Sequence, residues 1–289
     1  MRMFESDPET TDLVAGIHTF SVVRNPARAG PTYLGYAGPV YTGRITVWGS
    51  EDLRDWQRRD TVSGGTDFRW PSVVYDGEFY MAVRERDHTV GERVKATADT
   101  LVPGYDYDEP THISLYRSDD GVAFAKRGTL VRKGNLGRTL NQNPFLFADP
   151  VSGDLKLFYY SGSPTEPATQ WEIRACSVSP DATDLSDEDS LVAAFDEVVA
   201  APGVFYHPTA ERYVLFVEHK VDGDWHVRAF HGDDVLGPYT ELDASPILRD
   251  DVGCPFPYLD SGTLHLFASQ RTGGDWVGKV YRYELGALV

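Results

Sequence analysis

The sequence contains only two cysteines, Cys176 and Cys254, too few for a disulfide framework or a cysteine-rich metal site. No run of ~18 apolar residues occurs, which excludes a membrane-spanning helix. The opening residues, Met1 to Asp7, lack the apolar core of a signal peptide, so the expected location is the cytoplasm. Basic residues are scarce: 27 Lys and Arg stand against 44 Asp and Glu, a formal charge of −17. That balance argues against a nucleic-acid backbone as partner, because such binding needs clustered cations. Lysine is scarcest, with 6 Lys beside 21 Arg, while Asp outnumbers Glu by 29 to 15. Asp-rich, Lys-poor surfaces resemble those of halophilic proteins, where molar salt screens self-repulsion. The eight histidines do not fall in a metal-ligand spacing such as His-x-x-x-His, so no metal and no other cofactor is expected.

What is abundant is repetition. The 289 residues are 41% hydrophobic and 12% aromatic, ample for a core, and their short apolar runs return in one grammar. A run starts near a proline, reaches an Asp/Gly turn and comes back as an aromatic-rich strand. Pro71 to Tyr75 with Phe79 to Arg84, Pro144 to Phe147 with Leu155 to Tyr160, Pro202 to Tyr206 with Tyr213 to Glu218, and Pro255 to Leu259 with Leu264 to Ser269 are four copies. Thr19 to Val23 with Tyr33 to Tyr36 is a weaker first one. A third strand follows each pair, at Arg44 to Trp48, His112 to Tyr116, Glu172 to Cys176, His226 to Phe230 and Gly278 to Arg282. Their apolar–polar alternation is the period-two signature of strands. Two run into matching turns, Ser50 to Trp56 and Ser118 to Phe124, and a fourth strand then follows, as at Thr129 to Arg132.

Five such units predict an all-β fold, a five-bladed β-propeller with four-stranded antiparallel blades. With no linker or composition break, residues 1–289 are expected to form a single domain. The spacing predicts one short helix, Asp187 to Phe195. The polar stretch Gly91 to Pro110 interrupts blade two, and a loop that long is usually functional or mobile. The fifth blade lacks a strand after Arg282, and a bare edge invites pairing between molecules; the segment before Leu13 is expected to fill it.

The turn Ser50 to Trp56, the blade starts Trp70-Pro71-Ser72 and Asn143-Pro144, the strand end at 159–162 and the exit Gly237-Pro238-Tyr239 resemble five-bladed glycoside hydrolases. The clan looks like that of glycoside hydrolase family 43 (arabinanases, xylosidases) and family 32 (fructosidases). The resemblance implies hydrolysis of glycosidic bonds, with catalytic carboxylates at the inner-strand starts of blades one, three and four. Here those positions align with His18-Thr19, Asn143-Pro144 and Ala200-Ala201-Pro202. No carboxylate stands at any of them, so two-carboxylate hydrolysis does not carry over directly.

Aligning the blades gives sets of mouth residues instead. Before the proline position stand His18, Trp70, Asn143, Ala201 and Cys254; at the second-strand ends stand Tyr36, Arg84, Tyr160, Glu218 and Ser269; next to those stand Ala37, Glu85, Ser161, His219 and Gln270. Arg69, Gln142 and Arg271 are adjacent. Glu218 and Glu85 are the candidate catalytic acids, with His18 in a position where the family keeps an acid. Arg69, Trp70, Arg84, Gln142, Asn143, Tyr160, His219 and Arg271 are candidate carbohydrate-binding residues. Trp70 is equally readable as a packed residue, Arg84 and Glu218 as partners of neighbouring charges, and Glu85 as part of a solvated charge run. Three functions compete: a hydrolase with carboxylates at unusual positions, a propeller that binds glycan without turnover, and a lyase-like enzyme. In the last, Arg and Asn would neutralise a uronate while His or Tyr moves the proton.

Overall fold

The structure, a computed structural model, describes residues 8–27, 30–39, 44–64, 68–86, 111–131, 140–162, 171–179 and 190–285. The apolar runs become strands because alternate side chains can be buried on both faces of a sheet that is packed between two others. The described residues form twenty strands, in five sheets of four. Blade one holds β2 (Ile17–Arg24), β3 (Tyr33–Pro39), β4 (Thr46–Ser50) and β5 (Gln57–Thr61); the strand before it is β1 (Glu9–Ala15). Blade two holds β6 (Phe68–Tyr75), β7 (Phe79–Arg86), β8 (Thr111–Ser118) and β9 (Ala125–Val131). Blade three holds β10 (Leu140–Ala148), β11 (Leu155–Gly162), β12 (Trp171–Ser177) and β13 (Ser190–Phe195). Blade four holds β14 (Val199–His207), β15 (Arg212–Val221), β16 (Asp224–Gly232) and β17 (Thr240–Glu241). Blade five holds β18 (Val252–Asp260), β19 (Thr263–Thr272) and β20 (Asp275–Glu284), with β1 as its outer strand.

Five apolar clusters, one between each pair of consecutive blades, hold the ring. Tyr36 and Met81 belong to the cluster between blades one and two, Leu115 and Leu157 to that between two and three, Phe158 and Leu215 to that between three and four, Phe216 and Leu266 to that between four and five, and Phe20 and Phe267 to the closing one. Inner strands are also stitched to each other: Val73 N–H donates to Ser21 Oγ at 2.8 Å and Leu146 N–H to Ser72 Oγ at 2.8 Å. The matching turns share one mechanism. Ser50 Oγ accepts from Leu53 N–H and Asp52 Oδ1 from Arg54 and Asp55 N–H, while Ser118 and Asp120 repeat the pattern on Gly121, Val122 and Ala123. Leu53 (φ 62°) and Gly121 (φ 73°) take the left-handed backbone that this turn requires.

One element differs from the sequence reading. The expected helix over 187–195 is, from Ser190 on, the strand β13, paired with β12 through Trp171–Phe195 and Ile173–Ala193; residues 187–189 lie outside the described residues. Val192 and Phe195 are buried between blades three and four, so a sheet edge that needs a partner overrides the helix preference of Leu191, Ala193 and Ala194. The stretch 91–110 also lies outside the described residues.

The fifth blade is closed from the N-terminal side, as expected: Glu9 pairs with Arg282, Thr11 with Val280 and Asp12 with Lys279. Lys279 Nζ donates to Asp12 Oδ1 at 2.9 Å and Arg282 to Thr11 Oγ1 at 2.8 Å. Deleting residues 1–12 removes these bonds and exposes the β20 edge. A melting-temperature loss of at least about 5 °C is expected in a thermal scan; an unchanged curve would show that the closing strand contributes nothing.

Candidate functional site

At one end of the channel the five inner strands each break register, between Ile17 and Thr19, Arg69 and Ser72, Gln142 and Phe145, Ala200 and Gly203, and Gly253 and Phe256. These bulges re-aim side chains toward the axis. In four of them the residue before the proline is left-handed: Trp70 (φ 51°), Asn143 (φ 47°), Ala201 (φ 44°) and Cys254 (φ 53°). Such backbone costs about 1–3 kcal/mol per non-glycine residue and clusters at functional sites. These residues and their prolines line a small cavity of about 30 Å³ together with Thr19 and Phe20. The blade-one pair is therefore Thr19-Phe20, one residue on from the sequence alignment, which had no proline to anchor it. Tyr36 likewise falls short of the mouth; it sits between blades and donates to Gly121 O at 2.9 Å.

His18 reaches the mouth all the same. Trp70 Nε1–H donates to His18 Nδ1 at 3.1 Å, which leaves Nε2 as the protonated nitrogen, 3.7 Å from Cys254 Sγ. The edge of the Trp276 ring covers it, with centroids 5.0 Å apart. Burial, reinforced by the Arg69 charge, lowers the His18 pKa to about 4, so the ring is neutral at ordinary pH. Its Nδ1 lone pair is engaged by the Trp70 indole rather than open to the channel. Trp70 uses its N–H on His18, and its ring face lies under Arg84, whose Cζ is 5.1 Å from the centroid. The packed reading of Trp70 fits this better than an open sugar platform.

Glu218 is buried, on the β15 face turned toward blade five. Its Oε2 accepts from Cys254 N–H at 2.6 Å. Burial raises the carboxyl pKa to about 7, against the lowering effect of the bonds from Cys254. The Cys254 thiol is itself pushed up, by burial and by the adjacent Glu218 charge, so a ready thiolate nucleophile is not what this site offers. Gly253 makes the approach possible, since a Cβ there would lie 2.4 Å from Glu218 Oε2. Gly253→Ala is therefore expected to displace Glu218 from the Cys254 amide and destabilise the fold by about 1–3 kcal/mol, read from denaturant unfolding. Gly253 was missed by sequence reasoning; its only trace was a glycine two residues before a blade-starting proline.

The remaining candidates divide. Tyr160 O–H donates to Gln142 Oε1 at 3.0 Å. Gln142 Nε2 and Asn143 Oδ1 are buried with no hydrogen-bond partner among the described residues. Arg69 and Arg84 are buried at the mouth, directly opposite each other on β6 and β7. His219 is not brought to Glu218. As the next residue it faces blade three, with Nε2 3.9 Å from Glu197 Oε2. Arg271 is exposed, 4.0 Å from Asp251 Oδ2.

Glu85 also lies elsewhere. It faces away from Arg84 and accepts from His112 Nε2 at 2.9 Å, Ser114 Oγ at 2.6 Å, and both Tyr116 and Lys126. Burial pushes its pKa up, but these four bonds outweigh that and hold it at about 2. A carboxylate so fully engaged is a structural anion within blade two. Among the described residues no group of three or more His, Cys, Asp or Glu is arranged to hold a metal.

No protein-family model and no curated protein matches the chain. Solved structures do. A thermostable family-43 glycoside hydrolase is 19% identical, over 96% of this chain and 92% of that one, with a TM-score of 0.71. The endo-arabinase of Bacteroides thetaiotaomicron is 15% identical, over 94% and 98%, at 0.68. The Xanthomonas citri family-43 enzyme, solved with xylose, is 13% identical, over 95% and 90%, at 0.64. The fold is that of family-43 glycoside hydrolases: a five-bladed β-propeller of four-stranded antiparallel sheets.

Proposed function

We propose that the protein is a carbohydrate-active enzyme of glycoside hydrolase type, with Glu218 as proton donor to the glycosidic oxygen. The observation that carries this is a buried carboxyl with a pKa near 7, at the channel mouth of a propeller whose structural neighbours act on or bind sugars. A donor must be protonated at working pH and lose its proton readily, and that value does both. In this reading Gln142 and Asn143 take the sugar hydroxyls, supported by their buried polar atoms, while His18 and Gly253 keep the Cys254–Glu218 contact in shape.

A second reading, a propeller that binds glycan without turnover, is favoured by one specific observation. The positions where family 43 is expected to carry carboxylates are Thr19, Asn143 and Ala201 or its neighbour Ala200, and hydrolysis ordinarily uses two carboxylates. Incubation with arabino-, xylo- and galacto-oligosaccharides, with product chromatography beside calorimetric binding, separates the two. New reducing ends support the hydrolase; heat of binding without products supports the binding module. An unsaturated product absorbing in the near ultraviolet would replace both with a lyase. The Asp-rich composition extends the proposal to habitat: maximal stability is expected in molar salt.

A further inference from the structure

We propose that the blade-two side of the mouth is a carboxylate-recognition site and that the sugar it takes is acidic, a uronate. This rests on the carbohydrate reading above and names its substrate class. Arg69 and Arg84 are a directly opposed cross-strand pair, so both side chains lie on one face of the blade. Their relative exposures are 5% and 1%. Both are tied to the mouth: Arg84 lies over the ring of the lining residue Trp70, and the Arg69 charge reaches His18.

Two like charges facing each other across a strand pair repel, and an anion shared between them relieves that repulsion. Both guanidiniums engage further groups of the protein. Each nonetheless offers five N–H donors, while one carboxylate takes two of them. Two adjacent forks can therefore serve a bidentate anion in addition to their other partners. Glu218 does not compete for this role: its carboxyl faces blade five and is bonded to the Cys254 amide. Between the two, blade three presents the amide groups of Gln142 and Asn143, suited to hydroxyls. The mouth thus has an anion-accepting side, a hydroxyl-binding middle and an acid, which is the pattern a uronate residue presents in reverse.

The experiment is calorimetric titration of the whole protein with trigalacturonate, with its fully methyl-esterified form, and with neutral galactotriose. The free acid is expected to bind at least about tenfold tighter than the ester, as a charge-assisted bidentate contact provides. Arg84→Gln should abolish that preference, bringing acid and ester to within about threefold of each other. Because Arg84 is fully buried, Arg69→Gln is the second variant, and the acid–ester comparison on the parent protein needs no variant at all. Equal affinity for acid and ester overturns the carboxylate site and leaves the carbohydrate reading standing. If none of the three binds, the inference fails; if the neutral oligosaccharides tested above also neither bind nor react, the carbohydrate reading fails with it.

Discussion

At pH 8 the Glu218→Gln protein is expected to unfold roughly 6 °C above its parent and to turn over glycan about 10²–10⁴-fold more slowly. The two effects have one cause. The parent carboxyl has a pKa of about 7 in the fold and 4.5 when unfolded. A folded pKa above the unfolded one means that the carboxyl carries no penalty below pH 4.5. The penalty grows as pH rises through 7, to about 3 kcal/mol for a shift of that size. Gln keeps the shape and still accepts the Cys254 N–H, but it neither ionises nor donates a proton to a leaving group. The stability gap between variant and parent is therefore expected to close below pH 4.5. Thermal scans from pH 4 to 8 read the first effect and product release the second. Stability curves that stay parallel across that range, or turnover at the parent rate, would remove Glu218 from the acid's role.

Glu85→Ala is expected to act in the opposite way, lowering stability by about 3–5 kcal/mol and leaving the turnover of folded protein within about twofold. The substitution strands Lys126, His112, Ser114 and Tyr116, all of which converge on the carboxylate. Here the folded pKa, about 2, lies below the unfolded 4.5. The stabilisation is fully present above pH 4.5 and is lost as pH falls through 2. Acid titration of parent and variant, followed by tryptophan fluorescence, checks it: the curves should converge only toward pH 2. A stable variant with lost turnover would move Glu85 back into the chemistry.

The blades were legible because two independent signals coincided, period-two alternation within each strand and a proline or an Asp/Gly turn at its ends. Where one signal was missing, the reading slipped. Blade one has Phe20 where the others have proline, and its register came out one residue early. Strand β13 carries an Ala-rich stretch whose local preference is helical, and only its partner β12 decides otherwise. The site suffered from adjacency. Arg84 and Glu85, like Glu218 and His219, are consecutive in a strand, so only one of each pair can face the mouth. Which one it is depends on the neighbouring blade: Ala82 and Arg84 share the face toward blade three, whereas Phe79, Met81 and Val83 pack toward blade one. The closeness of Gly253 to Glu218 joins residues from two blades, and no local pattern encodes it.

The four left-handed positions ahead of the prolines hold an indole, an amide, a methyl and a thiol, at Trp70, Asn143, Ala201 and Cys254, within a φ range of 44° to 53°. The main chain there keeps one shape whatever it carries. The backbone bend is thus separate from the group it presents, although the Trp70 and Cys254 side chains also touch His18 of blade one and are less freely exchanged than the methyl of Ala201. A change of function at such a position therefore needs no change of backbone, only of the side chain that the bend presents.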